Sequence, residues 1–390
     1  MDWSALDIKK ELALGEDSTR QFKRQIDSAA RLAEEFCAFS NSRGGILYIG
    51  VEDNGTIAGI SAIQQGQYNQ FISNAASDIL KPAIYPITKV VEIDDKKIML
   101  IYVPEGTAKP YCTSAGIYYV KSGSDKRKAS PNELLRLYQQ NSMIFLDETT
   151  TAAGVVTEGA ERTIDLAKFY VFYEKDRGRV FSQEGVTVGQ AFESMNLAKE
   201  GKLTLGGLLL FGDNPQLYKP YCLIRAVSYY GTAISGDKYR DKNDCTGTLE
   251  EQYRGAMNFL KNNLAHIQPE GSFNQQGVLE IHEKALEEAV VNALLHRDYS
   301  KNAVIRLLIY DDRVEIISPG SLPNHLTVEN IIQGNSVIRN PTIVSFATKI
   351  LPYTGIGSGI ARILKYHPDT SFSDDKDGEQ FTITMKRPPR

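Results

Sequence analysis

The sequence predicts an α+β protein of several domains: an N-terminal α+β domain, an α/β middle region and a C-terminal α/β unit. Three observations carry this reading. At 390 residues the chain is too long for one comfortable core. Helical apolar spacing, as in Ile26, Ala29, Ala30, Ala33, Phe36 and Cys37, recurs between short branched runs such as residues 46–51 that suit strands. A polar, threonine-rich stretch at residues 147–160 breaks the pattern as a linker would. The expected domains are 1–146, 147–277 (linker and middle domain) and 278–390.

The N-terminal domain is organised around residues 38–55. A helix end leads through Gly44-Gly45 into the apolar run 46–51, which reads as a strand covered on both faces. Asp53-Asn54-Gly55 is a hairpin turn signal, returning into residues 56–60. A helix is expected over 66–80, ending before Pro82. Strands follow at 87–93 and 97–103 around Asp94-Asp95, and at 117–121 before a basic loop, 122–128. Ser130-Pro131-Asn132-Glu133 opens a helix with a capping box and a proline at its first position. Beyond the linker, residues 161–200 read as mostly helical, 206–212 and 222–230 as strands, and 248–264 as an amphipathic helix. The last unit offers a helix at 282–296, strands at 303–310 and 313–317, a glycine-rich segment at 353–359, a helix at 360–366 and a closing strand at 380–385.

Composition narrows the partners. With 42% hydrophobic and 24% charged residues the chain is ordinary for a soluble protein, and a net charge of -4 provides no global attraction to nucleic acid. Any such binding needs a local basic patch. Cys37, Cys112, Cys222 and Cys245 are scattered, which argues against a zinc site or disulfide framework and fits a reducing compartment. No apolar run reaches the roughly 18 residues of a membrane span, and the start lacks a signal-peptide pattern. A cytoplasmic location without a membrane partner is expected.

Two groups of residues have the character of a site. On the expected helix 282–296, Glu288 and Asn292 lie one turn apart on a largely apolar segment, where polar groups need a partner. A carboxylate beside an amide oxygen could activate water and hold magnesium, and Gly355, Gly357 and Gly359 would offer backbone N–H groups to phosphate at a helix start. In the N-terminal domain, the basic residues Lys121, Lys126, Arg127 and Lys128 near Tyr118 and Tyr119 suit a phosphate backbone. Taken alone, that run also reads as a solvated loop, Glu16 as a helix-lead carboxylate, Asp53 as a turn aspartate, and His296-Arg297-Asp298 as a surface helix end.

The motifs reach two resemblances. The segment Glu288-Ala289-Val290-Val291-Asn292-Ala293-Leu294-Leu295-His296-Arg297-Asp298-Tyr299 resembles the N-box of GHKL-type ATPases, in the version of a RecG-like, divergent branch. Residues 313–323, Arg339-Asn340-Pro341 and 355–362 are similar to the same branch, so that the resemblance covers about residues 278–387. It implies an α/β sandwich binding ATP with magnesium: Glu288 for water, Asn292 for the metal, and Ser318, Gly320, Arg339 and the three glycines around the nucleotide. Where ordinary GHKL proteins place an aspartate to read the adenine amino group, this chain has Ser318. Glu16, Phe22-Lys23, Ala38-Phe39-Ser40-Asn41, Gly44-Gly45, residues 50–55, Gly59, Lys109-Pro110 and Tyr118-Tyr119-Val120 resemble the Schlafen AlbA-type domain, across about residues 10–140. That family binds nucleic acid, and some members cut RNA with three metal-holding acids. Two of these acids map to Glu16 and Asp53, but the third falls at Gln21, which supplies no charge.

These resemblances imply a nucleic-acid-binding transcriptional regulator with a nucleotide-sensing C-terminal domain. Lys23, Arg43 and residues 121–128 would contact DNA or RNA, Glu16 and Asp53 are the candidate metal ligands there, and a homo-oligomer is expected. The rival is a metal-dependent ribonuclease, of defensive use, controlled by the C-terminal unit. A third reading makes both sites vestigial in a multimeric scaffold.

Overall fold

The computed structural model describes residues 7–140, 144–159, 162–234, 238–268, 277–323, 326–353 and 357–389. The chain forms two compact units, Met1–Ile144 and Phe145–Arg390. Both mix helices and sheets, as the α+β, multidomain reading requires.

In the first unit the parallel pair Arg20–Lys23 and Gly45–Ile49 continues antiparallel into Lys96–Val103 and Ile87–Ile93. The central strand is apolar throughout because both faces are covered. Leu47 and Ile49 pack with Phe36 and Phe39 of the helix Ala29–Asn41, while Ile46 and Tyr48 pack with Phe22 and Leu12 on the other side. Strand alternation therefore sends Gln21 and Lys23 to the helix side, opposite Phe22. Asp94 and Asp95, at φ 49° and 59°, make the tight turn between Ile87–Ile93 and Lys96–Val103.

Two local expectations change. The turn at 53–55 forms, with Gly55 N donating to Glu52 O at 2.8 Å, but its return is a single bridge, Val51 to Ile57. The basic loop 122–128 is a hairpin of Tyr119–Ser122 with Asp125–Lys128. The capping box of helix Pro131–Gln140 is present: Ser130 N donates to Glu133 Oε2 at 2.9 Å and Glu133 N to Ser130 Oγ at 3.3 Å.

The second unit departs from the expected boundary at 277/278. Ile224–Tyr229 and Tyr239–Cys245 join Ile305–Ile309, Arg313–Pro319, Gln380–Lys386 and Thr370–Asp375 in one six-stranded sheet, in which Ile224–Tyr229 runs parallel to Ile305–Ile309. One core runs from Ala153 to Met385, so the middle and C-terminal regions share their burial. Residues 206–212 are not a strand: Leu205–Phe211 is a fully buried helix, capped by Thr204 Oγ1 accepting from Gly207 N at 3.1 Å. An unbroken apolar run has no periodicity to separate the two forms.

The expected linker is also structured. Thr150–Gly154 pairs with Lys202–Thr204, and Asp147 is fully buried. Its Oδ2 accepts from Ile343 N at 2.9 Å, capping the first turn of helix Pro341–Ile350, whose own N-cap side chain makes no such bond. Burial pushes the Asp147 carboxyl up to about 6 from 3.8. The protonated form is thus favoured by folding. The stability linked to it is fully present below about pH 4 and lost as pH rises through about 6. Between pH 7 and pH 5 the melting temperature of the wild type should rise by roughly 5 °C relative to Asp147→Asn. A constant difference across that range in thermal melts would show that the carboxyl does not titrate there.

Candidate functional site

In the N-terminal unit the candidate residues are joined by a chain of polar contacts. Glu16 Oε1 accepts from Gln21 Nε2 at 2.5 Å and from Phe22 N at 2.7 Å. The other end of the buried Gln21 amide accepts from Lys121 Nζ at 2.6 Å, and this ammonium also donates to Ser124 O at 2.5 Å and lies 4.9 Å from the centre of the Phe39 ring. Burial lowers the Lys121 pKa, opposed by Glu35 and Glu16. Lys121 thus takes the side-chain oxygen of Gln21, the position at which the resemblance places a third acid. Among the described residues no group of three or more His, Cys, Asp or Glu is placed to hold a metal ion.

The basic run divides by environment. Lys126 Nζ pairs with Glu35 at 2.8 Å and Glu34 at 3.2 Å, from the solvent-poor side of helix Ala29–Asn41. Burial pulls its pKa down, but the two carboxylates hold it above the ordinary lysine value. Arg127 makes a forked pair with Glu133, at 2.8 and 2.6 Å, which holds the Glu133 carboxyl down at about 2. Lys128 and Arg43 are exposed, and Asp53 lies exposed in its turn. Lys23 lines a cleft with Ser28, Arg31, Glu34, Glu35 and Lys126. Of residues 126–128, Lys126 and Arg127 are thus paired with carboxylates of their own unit.

Several signature residues are structural. Asn41 donates to Tyr111 O at 2.8 Å and Tyr119 O at 2.9 Å and accepts from Tyr111 N at 2.7 Å, so its amide is committed to the backbone. Lys109, buried, donates to Ser42 O and Glu105 Oε1, both at 2.8 Å. Gly44, at φ 70°, lies against the backbone at 103–105, where a Cβ would meet Glu105 N at 2.5 Å.

In the C-terminal unit, helix Glu283–His296 and the sheet frame a cleft of about 860 Å³, open solvent at its mouth included. Asn292, Ser318, Gly320, Arg339, Gly357 and Gly359 line it, among apolar Ile316, Leu322, Ile360 and Phe381. Gly355 falls outside the described residues. Glu288, only 7% exposed, pairs with Arg362: its Oε1 lies 2.6 Å from Nε, while its Oε2 is buried with no hydrogen-bond partner. A Cβ on Gly359 would come within 2.9 Å of both Glu288 Oε2 and Asn292 Nδ2, so these two side chains and the start of helix Gly359–Tyr366 converge. Asn292 Nδ2 donates to Glu288 O at 2.7 Å, which leaves Oδ1 as the atom suited to a metal.

The remaining wall residues are positioned by the backbone. Ser318 Oγ donates to Ala293 O at 3.1 Å, so the hydroxyl has only lone pairs left for a base. Arg339 donates to His296 O at 3.1 Å and to Ser321 O at 2.8 Å, and burial lowers its pKa. Burial, with Arg339 adding, pushes His296 down to about 4, so the imidazole is neutral at physiological pH. Arg297 is not on a surface helix end. It is 1% exposed and donates to Tyr221 O at 2.9 Å and Ala303 O at 2.6 Å. Asn340 caps the same helix end, donating to Leu295 O at 2.8 Å and Arg297 O at 3.0 Å. The residues missed in the sequence were Arg362, one turn beyond Gly359, and Glu35, an acid among the apolar residues of its helix.

Known proteins fall on the same division. Residues 16–130 match the family described as "Schlafen, AlbA_2", and residues 302–385 match the one described as "Putative ATP-dependent DNA helicase recG C-terminal". The chain therefore combines a Schlafen AlbA_2 region with a RecG-like C-terminal region, the architecture its motifs imply. The second match begins after the helix that holds Glu288 and Asn292. No curated protein matches. Among solved structures, the DIP2311 protein from Corynebacterium diphtheriae is 18% identical, covering 95% of this chain and 65% of that one, with a TM-score of 0.46. This chain thus spans less than two thirds of that protein. The N-terminal domain of a putative ATP-dependent DNA helicase RecG-related protein from Nitrosomonas europaea is 27% identical, over 32% of this chain and 92% of that one, with a TM-score of 0.24. No helix among the described residues is long and apolar enough to cross a membrane.

Proposed function

We propose that this protein is a nucleic-acid-binding regulator, with polynucleotide held by the N-terminal unit and a nucleotide with magnesium by the C-terminal cleft. The observation that carries the first part is the Glu16–Gln21–Lys121 chain. Its half-buried ammonium donates to an amide oxygen and a carbonyl oxygen, and a lysine beside Glu16 and Gln21 favours binding over metal-dependent cleavage. The Schlafen AlbA_2 match supports nucleic acid as the partner. Lys23, Arg43 and Lys128 are the residues of this unit that would meet phosphates.

For the second part, the residues fit the group. The glycine-lined start of helix Gly359–Tyr366 suits phosphate, and the unpartnered Glu288 Oε2 and Asn292 suit water and metal. Bound magnesium would supply positive charge to offset the phosphates. Arg339 and Ser318 would orient the nucleotide in the apolar cleft. A regulatory role is the reading that joins a nucleotide site to a polynucleotide-binding unit without requiring either to catalyse.

Titration of the full chain with short duplex and single-stranded oligonucleotides tests the first part. Affinity should fall steeply with salt, and Lys128→Ala should weaken all sequences alike and reduce the salt slope by about 1. Lys126→Ala should instead lower the melting temperature, because Glu35 is buried and loses its partner. No binding at low salt would refute the proposal. Rapid, magnesium- or manganese-dependent cutting of transfer RNA that disappears in Asp53→Ala would favour the ribonuclease reading instead.

A further inference from the structure

The pairing of Glu288 with Arg362 has the form of an anion already seated in an anion site. The carboxylate lies beside Gly359, at the start of the helix Gly359–Tyr366, where a negative charge is favoured. Arg362 belongs to the first turn of that helix. Side chains on a helix lean towards its N-terminus, so a cation at this position is carried towards whatever anion binds there. The contact is close in distance, Nε to Oε1 at 2.6 Å, yet it lacks hydrogen-bond geometry at Nε. It is therefore held by charge rather than by direction. The other carboxylate oxygen, Oε2, is buried and has no partner at all.

We propose that Arg362, which reaches Glu288 beside the Gly359 wall of the cleft, is a polyphosphate-binding residue, and that Glu288 competes with the ligand for it. The proposal rests on the nucleotide reading of the cleft. Without ligand, the ion pair neutralises two groups that would otherwise be costly to bury. When a polyphosphate enters beside Gly357 and Gly359, Arg362 exchanges the carboxylate for phosphate oxygens, to which guanidinium makes forked contacts. Glu288 then loses its cation. Part of the ligand's binding energy is spent on that exchange, so this cleft binds phosphates more weakly than its donors alone would allow.

Equilibrium calorimetry of the full chain with magnesium tripolyphosphate and magnesium ATP tests this. Relative to wild type, Arg362→Gln should weaken both ligands about tenfold, the loss of one charge-assisted contact. Glu288→Gln, nearly isosteric, should tighten both several-fold by releasing Arg362. The double variant should bind like Arg362→Gln, because the gain requires the arginine. Arg362→Lys, which keeps the charge, serves if Arg362→Gln melts early, and should retain most of the tripolyphosphate affinity. If ATP binds the wild type and Arg362→Gln and Arg362→Lys bind it equally well, or if the gain from Glu288→Gln survives in the double variant, the competition is refuted while the nucleotide site stands. If neither ligand binds the wild type or Glu288→Gln, the nucleotide reading falls, and this proposal with it.

Discussion

Replacing Arg387 with alanine should destabilise the protein by about 3–5 kcal/mol, the cost of leaving a buried charge without its partner. The Arg387 and Glu280 side chains are 0% and 2% exposed. Arg387 Nη2 and Nε donate to Glu280 Oε1 at 2.7 and 3.1 Å, and Nη1 donates to Tyr310 O at 2.5 Å. The same carboxylate oxygen accepts from Ala265 N at 2.7 Å. One pair thereby ties the end of strand Gln380–Lys386 to the segment before helix Glu283–His296 and to the end of strand Ile305–Ile309. Removing the arginine strands Glu280 in the interior. Replacing both members with methionine should recover much of the loss, since an apolar pair carries no desolvation cost. Urea unfolding monitored by circular dichroism measures both variants. A loss below 1 kcal/mol for Arg387→Ala would mean that water reaches Glu280.

The second large effect concerns the cleft. Magnesium ATP at a hundred times its dissociation constant should stabilise the wild type by about 2.7 kcal/mol, seen as a rise in melting temperature. Asn292→Ala should abolish that rise without unfolding the protein, because Asn292 is half-buried at the cleft wall. Ser318, with its hydrogen given to Ala293, offers the base a neutral acceptor in place of a carboxylate. ATP should therefore be preferred over GTP by less than about tenfold, less than one strong polar contact would provide. If millimolar ATP and GTP both leave the melting curve unmoved, the cleft is vestigial.

Much of the local structure was legible. The capping box at Ser130 and Glu133, the turn at Asp94-Asp95 and the helical spacing before Cys37 each depend on residues close in the chain, and each forms. Helix Leu249–Asn263 likewise follows from its amphipathic spacing and the Thr248–Glu251 capping box. The errors share one cause. Leu205–Phe211 carries no periodicity, so its form is settled by what surrounds it. Asp147 looked like a linker residue because its partner, the Ile343 amide, belongs to a distant helix. The boundary at 277/278 failed because strand pairing between Ile224–Tyr229 and Ile305–Ile309 joins regions that composition separates.

The candidate sites divide in the same way. The residue types proposed to hold phosphate, metal or nucleic acid are set by the sequence, as are the amide at Gln21 and the hydroxyl at Ser318 where the resemblances place acids. The strands and helices that carry them follow from local pattern, because short-range spacing determines which face of an element is apolar. Which group answers each buried charge was decided only by the tertiary structure. Lys121 turns to Gln21, Lys126 to Glu35 and Arg362 to Glu288, each across a long stretch of chain. The reason is physical: a charge removed from water must take the partner that packing brings within about 3 Å, and packing joins segments whose neighbourhood no local pattern records.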